Sequence, residues 1–489
     1  MSTKILINAV DSEECRIAIV KDNHLEEFHV ETAAREITKG NIYKGVISRI
    51  EPSLQAVFVD YGAERHGFLQ KHEIHSDYFQ DTPQGEKGID KILKPRQELL
   101  VQVTKDPMMK KGAMLTTLIS LAGRCVVLMP GSTGIGVSRK IEEEKERARL
   151  KEIAENLGLP EGFGLIIRTV AKGQTKTLIS KDVRSLVRLW KTIMKKGVTA
   201  KSPALLHQES SLVIRSIRDY FNAEVSGILV DDEAVYEEVV EFVRVISPRR
   251  VKIVKLHKEP KPIFTKYQLE EQIASVFESR VGLKSGGTIV IHPTEALVSI
   301  DVNSGRSTKE SNVEKTAFQT NLEAAEEAAR QLRIRDLGGL IVVDFIDMKD
   351  PKHRAAIEKA MREHTKADKA RIKVGRISSF GLMEMSRQRI RPSIEYGSYI
   401  ECSHCRGKGM VPSVETLALG FLRKLRMETA KDGLDKVEAT VPPDVADYIL
   451  NKKRNDLVDL ETRREVSIVV RGDASLLPGD SRFHSEMKA

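Results

Sequence analysis

The sequence has few aromatic residues, few cysteines and no long hydrophobic run. Phe, Trp and Tyr make up 5% of its 489 residues, and there are four cysteines. So few cysteines in so long a chain argue against a disulfide framework and favour a reducing compartment. The apolar run near the N-terminus is too short for a signal peptide, and no stretch is long enough to cross a bilayer. We therefore expect a cytoplasmic protein.

Length and charge exclude fewer classes of protein. The chain has room for roughly three domains. Lys and Arg number 79 against 70 Asp and Glu, which gives a formal net charge of +9. A modest positive excess fits a protein that binds a polyanion, although many cytosolic enzymes are mildly basic as well.

Short β-rich segments separated by Gly and Pro fill residues 40–74. Closely spaced short strands with turn signals predict a small barrel. Phe58 and Phe68 stand out there in an aromatic-poor chain, with Lys44 and Arg49 nearby. Aromatic rings in a basic groove are how OB-type barrels hold the bases of single strands. On spacing alone, however, Phe58 fits the barrel core equally well.

The most regular α/β pattern runs from residue 279 to residue 398. It predicts two strands around a turn at His292-Pro293, and the second of these strands ends at Asp301. A helix is predicted next, and then an almost wholly apolar strand of the kind buried on both faces of a sheet, which ends at Asp344. Strand, helix and strand in this order favour a right-handed crossover with parallel strands. Both aspartates are then expected at the same edge of the sheet.

The intervening helix is predicted over residues 320–339. Thr320 or Asn321 is a suitable N-cap, and Gly338 and Gly339 end the pattern.

Two neighbouring carboxylates repel each other unless a cation neutralises them. Hard oxygen ligands suit Mg²⁺, which usually takes one or two protein carboxylates and keeps several waters. Asn303 follows Asp301 by two residues, so it can orient that carboxylate if the chain stays extended. Such a site can activate water and neutralise charge on a phosphodiester. The alternative is that Asp301 and Asp344 only end their strands. A P-loop nucleotidase is excluded, because the sequence has no G-x-x-x-x-G-K-[ST] loop.

Residues 402–409, CSHCRGKG, resemble a zinc knuckle. A structural zinc requires four ligands, and the motif offers Cys402 and Cys405. One solution is a Zn²⁺ shared by two chains across a dimer interface. The others are help from His404 or from the distant Cys15 and Cys125. A thioredoxin-like redox pair is less favoured, because the motif does not follow a strand and open a helix.

Five segments occur in the order found in the ribonuclease E/G family, and the resemblance covers essentially the whole chain: RIEPSLQAVFVDYGAERHGFL, SIDVNSGRST, TAFQTNLEAAEEAARQLRIRDLGGLIVVDFIDM, FGLMEMSRQR and CSHCRGKG. The resemblance implies a Mg²⁺-dependent endoribonuclease for single-stranded, often A/U-rich RNA in ribosomal RNA maturation and messenger decay. It also implies 5′-phosphate and 3′-hydroxyl products, stimulation by a 5′ monophosphate, and tetramers built from two zinc-linked dimers.

The fold implied by the resemblance is a multidomain α/β protein. Its expected parts are an RNase H-like domain in two pieces (1–38 and 213–278), an S1 barrel (39–120), a 5′-sensor domain (121–212), a DNase I-like catalytic domain (279–398), a zinc link (399–412) and a small α/β domain (413–489).

The resemblance also assigns roles to individual residues. The expected roles are Mg²⁺ ligation by Asp301 and Asp344, positioning by Asn303, zinc ligation by Cys402 and Cys405, RNA contact by Phe58, Phe68 and Lys111, and recognition of a 5′ monophosphate by Gly123, Val127, Arg168, Thr169 and Arg371.

Two departures from the family pattern accompany these expectations. His292-Pro293 lies where an acidic residue is expected, and the chain stops at Ala489 without a long polar tail. The short form resembles ribonuclease G and predicts no scaffold role, whereas parts of the core sequence resemble ribonuclease E, so both subfamilies stay open. The competing hypotheses are a non-catalytic S1-type RNA-binding protein, which would lack a functional aspartate pair, and an exoribonuclease, which would differ in its cleavage pattern.

Overall fold

The computed structural model describes most of the chain: residues 2–32, 38–79, 88–107, 112–305, 313–391, 394 and 399–488. The chain divides into two compact units, Met1–Glu395 and Tyr396–Ala489. Within the described ranges, no helix combines the length and the apolar character that crossing a membrane requires.

The described part of the chain contains strands in both of its compact units. In the first unit they are β1 (Thr3–Asn8), β2 (Glu14–Lys21), β3 (His24–Thr32), β4 (Ile42–Glu51), β5 (Ala56–Asp60), β6 (Gly67–Gln70), β7 (Glu98–Lys105), β8 (Met114–Thr116), β9 (Leu121–Ala122), β10 (Val126–Pro130), β11 (Ile135–Val137), β12 (Phe163–Ile167), β13 (Ala204–His207), β14 (Val225–Val230), β15 (Val254–Leu256), β16 (Arg280–Gly282), β17 (Thr288–Pro293), β18 (Leu297–Asn303), β19 (Gly339–Asp344), β20 (Ile372–Ile377) and β21 (Leu382–Arg387). In the second unit they are β22 (Leu434–Val441), β23 (Ser467–Gly472) and β24 (Arg482–Met487).

The α-helices of the first unit are α1 (Ile89–Ile92), α2 (Glu144–Glu155), α3 (Lys176–Thr199), α4 (Leu212–Tyr220), α5 (Glu233–Ile246), α6 (Ile263–Lys266), α7 (Glu270–Ser275), α8 (Val313–Ile334) and α9 (Pro351–Thr365). Those of the second unit are α10 (Val414–Glu428), α11 (Pro443–Lys452) and α12 (Arg454–Arg464).

The first sheet joins segments that are far apart in sequence. Its order is β15-β14-β1-β2-β3, and β1 pairs with β14 in parallel. Ile5 and Ile228 share a hydrophobic core with Val239 of α5. Leu212 and Ile217 of α4 belong to the same core, so the chain between β3 and α4 is inserted into one α/β domain.

The first inserted structure is the predicted barrel, which is confirmed. Its sheet order is β13-β4-β5-β6-β8-β7, and an additional pairing of β4 with β7 closes the ring. Val57, Leu69 and Val101 are fully buried in its interior. A second insertion follows, in which the sheet β11-β12-β10-β9 packs against α3.

The α/β segment after residue 279 forms a six-stranded sheet of order β16-β17-β18-β19-β21-β20. The predicted strand-helix-strand order and its parallel pairing are confirmed, because β18 and β19 pair in parallel and α8 lies between them. The predicted helix start was wrong: α8 begins at Val313, and Thr320 and Asn321 are fully buried within it. The predicted turn also lies later, since His292 and Pro293 still belong to β17.

The prediction that the strand ending at Asp344 is buried on both faces was wrong as well. Ile341 and Val343 are fully buried in the core that α8 shares with the sheet, whereas Leu340 is 48% exposed. Val342, on the same face as Leu340, is half-buried. The sheet thus has one covered face and one open face, because the alternation of a strand sends successive side chains to opposite sides.

The second unit has a small core of its own. Its sheet order is β23-β22-β24, with β22 parallel to β23 and antiparallel to β24. Val437 of β22 is buried with Leu425 of α10 and Ile449 of α11.

Candidate active site

The aspartates predicted at the sheet edge are paired neighbours. In the parallel register of β18 with β19, Asp301 lies directly opposite Asp344. Ile300, Val302 and Val343 enter the core, so both aspartates project from the open face, where both are exposed. The sequence pattern thus brings two carboxylates together at the C-terminal ends of two parallel strands.

Asn303 supports the first of these carboxylates. Its Nδ2 donates a hydrogen bond of 2.8 Å to Oδ2 of Asp301. Both side chains lie on the same side of β18, since β-strand side chains two residues apart share a face. The amide therefore holds the Asp301 carboxylate in one orientation and leaves Oδ1 free of this bond.

Helix α8 fixes the segment that follows Asp344. The buried Asn321 donates to the Ile346 carbonyl over 2.8 Å and accepts from the Ile346 amide over 3.0 Å. Glu314, in the first turn of the same helix, accepts from the amides of Lys349 and Asp350, each over 3.1 Å. Asn321, which was predicted to begin the helix, instead holds the loop after Asp344 through its two hydrogen bonds with Ile346. We call this pair of hydrogen bonds the Asn321 clamp.

We expect Asn321→Leu to lower both the stability and the activity of the protein. The substitution removes the Asn321 partner of the amide and the carbonyl of Ile346 in a partly buried place, which costs about 1–3 kcal/mol of unfolding free energy. Thermal unfolding and RNA cleavage are the measurements. Gln319→Leu, at an exposed position of the same helix, is the matched control, and equal effects of both substitutions would contradict the clamp.

The electrostatics of the pair favour a bound cation. Partial burial, followed by the charges of Asp301 and Asp347, raises the pKa of Asp344 above its ordinary value. A Cβ placed on Gly381 would lie 3.4 Å from Oδ1 of Asp347 and 4.0 Å from Oδ1 of Asp344. Because Gly381 has no side chain, the space beside these two carboxylates stays open.

The donor set fits Mg²⁺ chemically. It consists of carboxylate oxygens on an open sheet face, which matches the preference of Mg²⁺ for a few protein oxygens and several waters. Within the described ranges, no group of three or more His, Cys, Asp or Glu side chains is placed to hold a metal ion. A metal at this position would therefore rely on the Asp301 and Asp344 pair.

The phenylalanines predicted to contact RNA lie outside the barrel core. Phe58 and Phe68 are register partners on β5 and β6, their ring centroids are 5.6 Å apart, and both are half-exposed. The guanidinium carbon of Arg49 lies 4.8 Å from the centre of the Phe58 ring. Of the two interpretations open from spacing, the core is excluded, because the neighbours Val57 and Val59 fill it. Lys111 lies outside the described residues.

We expect Phe58→Ala and Phe68→Ala each to raise the KM for single-stranded RNA about tenfold, because one aromatic–base stack contributes about 1–3 kcal/mol. The kcat should stay close to the wild-type value, since neither ring lies on the sheet that carries the aspartates. Steady-state cleavage kinetics give both constants. Leu118→Ala removes an apolar side chain that is 45% exposed and serves as control; a kcat effect without a KM effect would count against stacking.

The predicted sensor residues surround a tightly held loop. Asp182 of α3 accepts hydrogen bonds from the amides of Arg124, Cys125 and Val126, and its burial raises its pKa. A Cβ on Gly123 would lie 2.6 Å from Oδ2 of Asp182. Only glycine fits at that position without displacing Asp182.

Arg168 is anchored at two points. Its Nη1 donates to the Gly123 carbonyl over 2.6 Å, and its Nη2 pairs with Oδ1 of Asp219 over 2.6 Å. Thr169 follows it and is exposed. Val127 is opposite Ile166 in the pairing of β10 with β12. Four of the five predicted residues therefore lie near one end of these two strands.

Arg371, the fifth, is exposed on another part of the chain. Lys369, two residues before it, donates to the Asp219 carbonyl over 3.0 Å, which places this segment beside the residue that pairs with Arg168. The sequence did not predict the contacts of Asp182, Asp219, Lys369 or Asp347 with the candidate site residues. Nothing in the local sequence distinguishes these charged residues from others, because the contacts form only in the folded chain.

Cys402 and Cys405 lie in a turn before α10. The amides of Cys405 and His404 and then the Cys405 thiol lower the pKa of Cys402, which favours the thiolate that binds zinc. The amide of Arg406 donates to the Cys402 carbonyl over 2.7 Å, and Gly407 and Gly409 have positive φ angles of 75° and 70°. This compact turn presents two thiols, half of a tetrahedral set.

Comparison with known families gives three matches along the chain. Residues 36–117 match the S1 RNA binding domain, residues 120–390 the Ribonuclease E/G family, and residues 401–485 the "RNase E/G, Thioredoxin-like domain".

Named relatives agree with these matches. Ribonuclease E of Haemophilus influenzae is 46% identical over 96% of this chain and 50% of its own length. Ribonuclease E of Escherichia coli is 45% identical over 94% of this chain and 44% of its own length. Ribonuclease G of Escherichia coli is 36% identical over 94% of this chain and 95% of its own length. The chain thus spans about half the length of these two ribonucleases E, and it belongs to the ribonuclease E/G family.

Proposed function

We propose that this protein is a Mg²⁺-dependent endoribonuclease that cuts single-stranded RNA and leaves a 5′ phosphate and a 3′ hydroxyl. The observation that carries the proposal is the register pair of Asp301 and Asp344 on the open sheet face, in a chain of the ribonuclease E/G family. A bound Mg²⁺ would supply Lewis acidity and would lower the pKa of an attacking water.

The residues around the aspartate pair would have different roles in the reaction. Asp301 and Asp344 would hold the cation, and Asn303 would keep the Asp301 carboxylate oriented through its 2.8 Å hydrogen bond. The loop clamped by Asn321 would keep Asp344 in register with its partner. These contacts would hold the two carboxylates in position before substrate arrives, which would reduce the reorganisation that the reaction requires.

The barrel would hold the RNA strand. The Phe58 and Phe68 rings offer stacking surfaces, and Arg49 and Lys111 add positive charge for the phosphates. Stacking and charge recognise any unpaired strand, which agrees with a preference for single-stranded substrates such as ribosomal RNA precursors and messenger RNA.

We further propose that Gly123, Val127, Arg168, Thr169 and Arg371 bind a 5′-terminal monophosphate. An anchored guanidinium beside a threonine hydroxyl suits the oxygens of a terminal phosphate, because charge-assisted hydrogen bonds are strong and directional. The pairing of Arg168 with Asp219 supports the proposal, since it fixes the guanidinium in place.

The thiols of Cys402 and Cys405 would bind Zn²⁺ together with the same pair of a second chain. Each chain offers two thiols in one turn, and a structural zinc takes four ligands. The proposed assembly is a zinc-linked dimer, two of which form a tetramer, and the proposed location is the cytoplasm.

A gel time course tests the proposed reaction. An RNA with an A/U-rich unpaired interior and a 3′ label is incubated with protein and Mg²⁺, and it carries either a 5′ monophosphate or a 5′ triphosphate. Discrete internal cuts, faster on the monophosphate and abolished by EDTA, are expected. A one-nucleotide ladder would indicate an exonuclease. Intact RNA bound by protein would favour the non-catalytic S1-type alternative.

A further inference from the structure

Phe380 is the most exposed phenylalanine among the described residues. Its side chain is 82% exposed, whereas Phe79 is 37% exposed. A single exposed apolar residue on a protein surface requires no explanation. Phe380 is unusual in two ways: aromatic residues form only 5% of the chain, and this one lies close to the aspartate pair.

Phe380 lies in the tight turn between β20 and β21. Ser378 closes this turn: its amide donates to the Leu382 carbonyl over 2.8 Å, and its Oγ and carbonyl accept from the amides of Phe380 and Gly381, each over 3.2 Å. The exposed ring is therefore carried on a backbone with a defined conformation. A rigid aromatic platform loses little entropy when it contacts a ligand.

The same turn adjoins the aspartate pair. Leu382 is opposite Asp344 in the pairing of β19 with β21, and the Phe345 amide donates to the Gly381 carbonyl over 3.4 Å. A Cβ on Gly381 would lie 4.0 Å from Oδ1 of Asp344, and consecutive Cα atoms are about 3.8 Å apart. The backbone of Phe380 thus lies within about 9 Å of that oxygen.

We infer that Phe380 is a positioning residue whose ring stacks on a base one or two nucleotides from the bond that is cut. This inference rests on the proposed function, because it assigns the occupant of the exposed ring from the reaction that the neighbouring carboxylates would perform. Every base has a π face, so a phenyl ring holds any unpaired nucleotide and excludes a paired one. The stack would favour an unpaired strand at the site of cleavage itself.

Steady-state kinetics on a 5′-monophosphorylated single-stranded RNA with one cut site test the inference. Phe380→Ala is expected to raise KM about tenfold, as the loss of one stacked base predicts. Phe380→Trp should restore KM, and Phe380→Leu should not, since leucine keeps apolar bulk without a planar ring. Val198→Ala removes an apolar side chain that is 81% exposed on α3 and should leave both constants unchanged.

A spectroscopic readout separates stacking from a structural effect. 2-Aminopurine is placed in turn at each nucleotide around the cut site, and fluorescence is measured with Mg²⁺ in an Asp344→Asn background, where the RNA stays intact. Adding Phe380→Ala should raise the emission at one position next to the cut. Adding Val198→Ala should not.

Other outcomes overturn the inference. A wild-type KM for Phe380→Ala would exclude stacking, and so would a loss of kcat that tryptophan does not rescue. A smaller assembly on size-exclusion chromatography, with normal activity per chain, would assign the ring to a contact with a second copy. If the wild-type protein leaves the RNA intact, the proposed function itself fails, and this result differs from an active wild-type protein with an inert Phe380.

Discussion

Replacing Asp344 with asparagine is expected to lower RNA cleavage by at least about 10³-fold, because electrostatic stabilisation by a metal contributes several kcal/mol to the transition state. The amide keeps the size of the carboxylate and removes its charge, so the pair of Asp301 and Asp344 would hold the cation poorly. RNA binding should remain close to wild type, because Phe58 and Phe68 are on the barrel and the substitution leaves the Phe380 ring in place. Initial cleavage rates and fluorescence anisotropy on the same RNA measure the two properties.

Glu295→Gln is the matched control for this substitution. Glu295 is an exposed carboxylate in the turn between β17 and β18, at the opposite end of β18 from Asp301. Glu295→Gln removes the same charge, from a turn of the same six-stranded sheet, and this variant should cleave RNA like the wild-type protein. If Asp344→Asn loses RNA binding or unfolds at a lower temperature than the control, the carboxylate has a structural role and the catalytic assignment is contradicted.

Replacing Cys402 with serine is expected to remove zinc and to halve the mass of the assembly in solution. A hydroxyl is a poor substitute for a thiolate ligand of zinc, and structural zinc sites contribute about 10–16 kcal/mol of apparent binding free energy. Cys405→Ser should behave in the same way. Elemental analysis gives the zinc content, with about one ion per two chains expected for the wild-type protein, and light scattering gives the mass.

Ser403→Ala provides the comparison for the zinc link, since Ser403 is an exposed residue between the two cysteines. This variant should keep both the zinc and the assembly. An unchanged mass for Cys402→Ser after complete loss of zinc would contradict the shared site. Wild-type zinc content in the same variant would assign the ion to other ligands.

The crossover that positions the aspartates was predictable from the sequence. The apolar strand ending at Asp344 and the helical pattern before it are local signals, and parallel pairing follows from their order. The direct opposition of Asp301 and Asp344 was not predictable, because register depends on how both strands pack against α8. An error of one residue in register would have placed the two carboxylates on opposite faces.

The helix start shows why local signals have limits. Asn321 and Thr320 are typical N-cap residues, and the sequence placed the helix start there. In the structure the helix starts earlier, and Asn321 instead binds the backbone of Ile346 after β19. A capping residue and a buried clamp have the same sequence signature, since both are short polar side chains that bind backbone groups.

The open sheet face was not predicted either, because Leu340 and Val342 are as apolar as the buried strand residues. Composition indicates a strand that can be buried on both faces, whereas the helices of this domain cover only one face. The uncovered side is the one that carries Asp301, Asn303 and Asp344. The apolar residues beside the proposed active site therefore gave the wrong prediction of burial.

The most direct test of the aspartate pair is the position of a bound cation. Mn²⁺ replaces Mg²⁺ and scatters anomalously. Crystals soaked in Mn²⁺ should show an anomalous peak about 2.1 Å from a carboxylate oxygen of Asp301 and of Asp344. The same peak should be absent in Asp344→Asn. A protein that cuts RNA with Mn²⁺ but has no anomalous peak between these two aspartates would contradict the proposed active site.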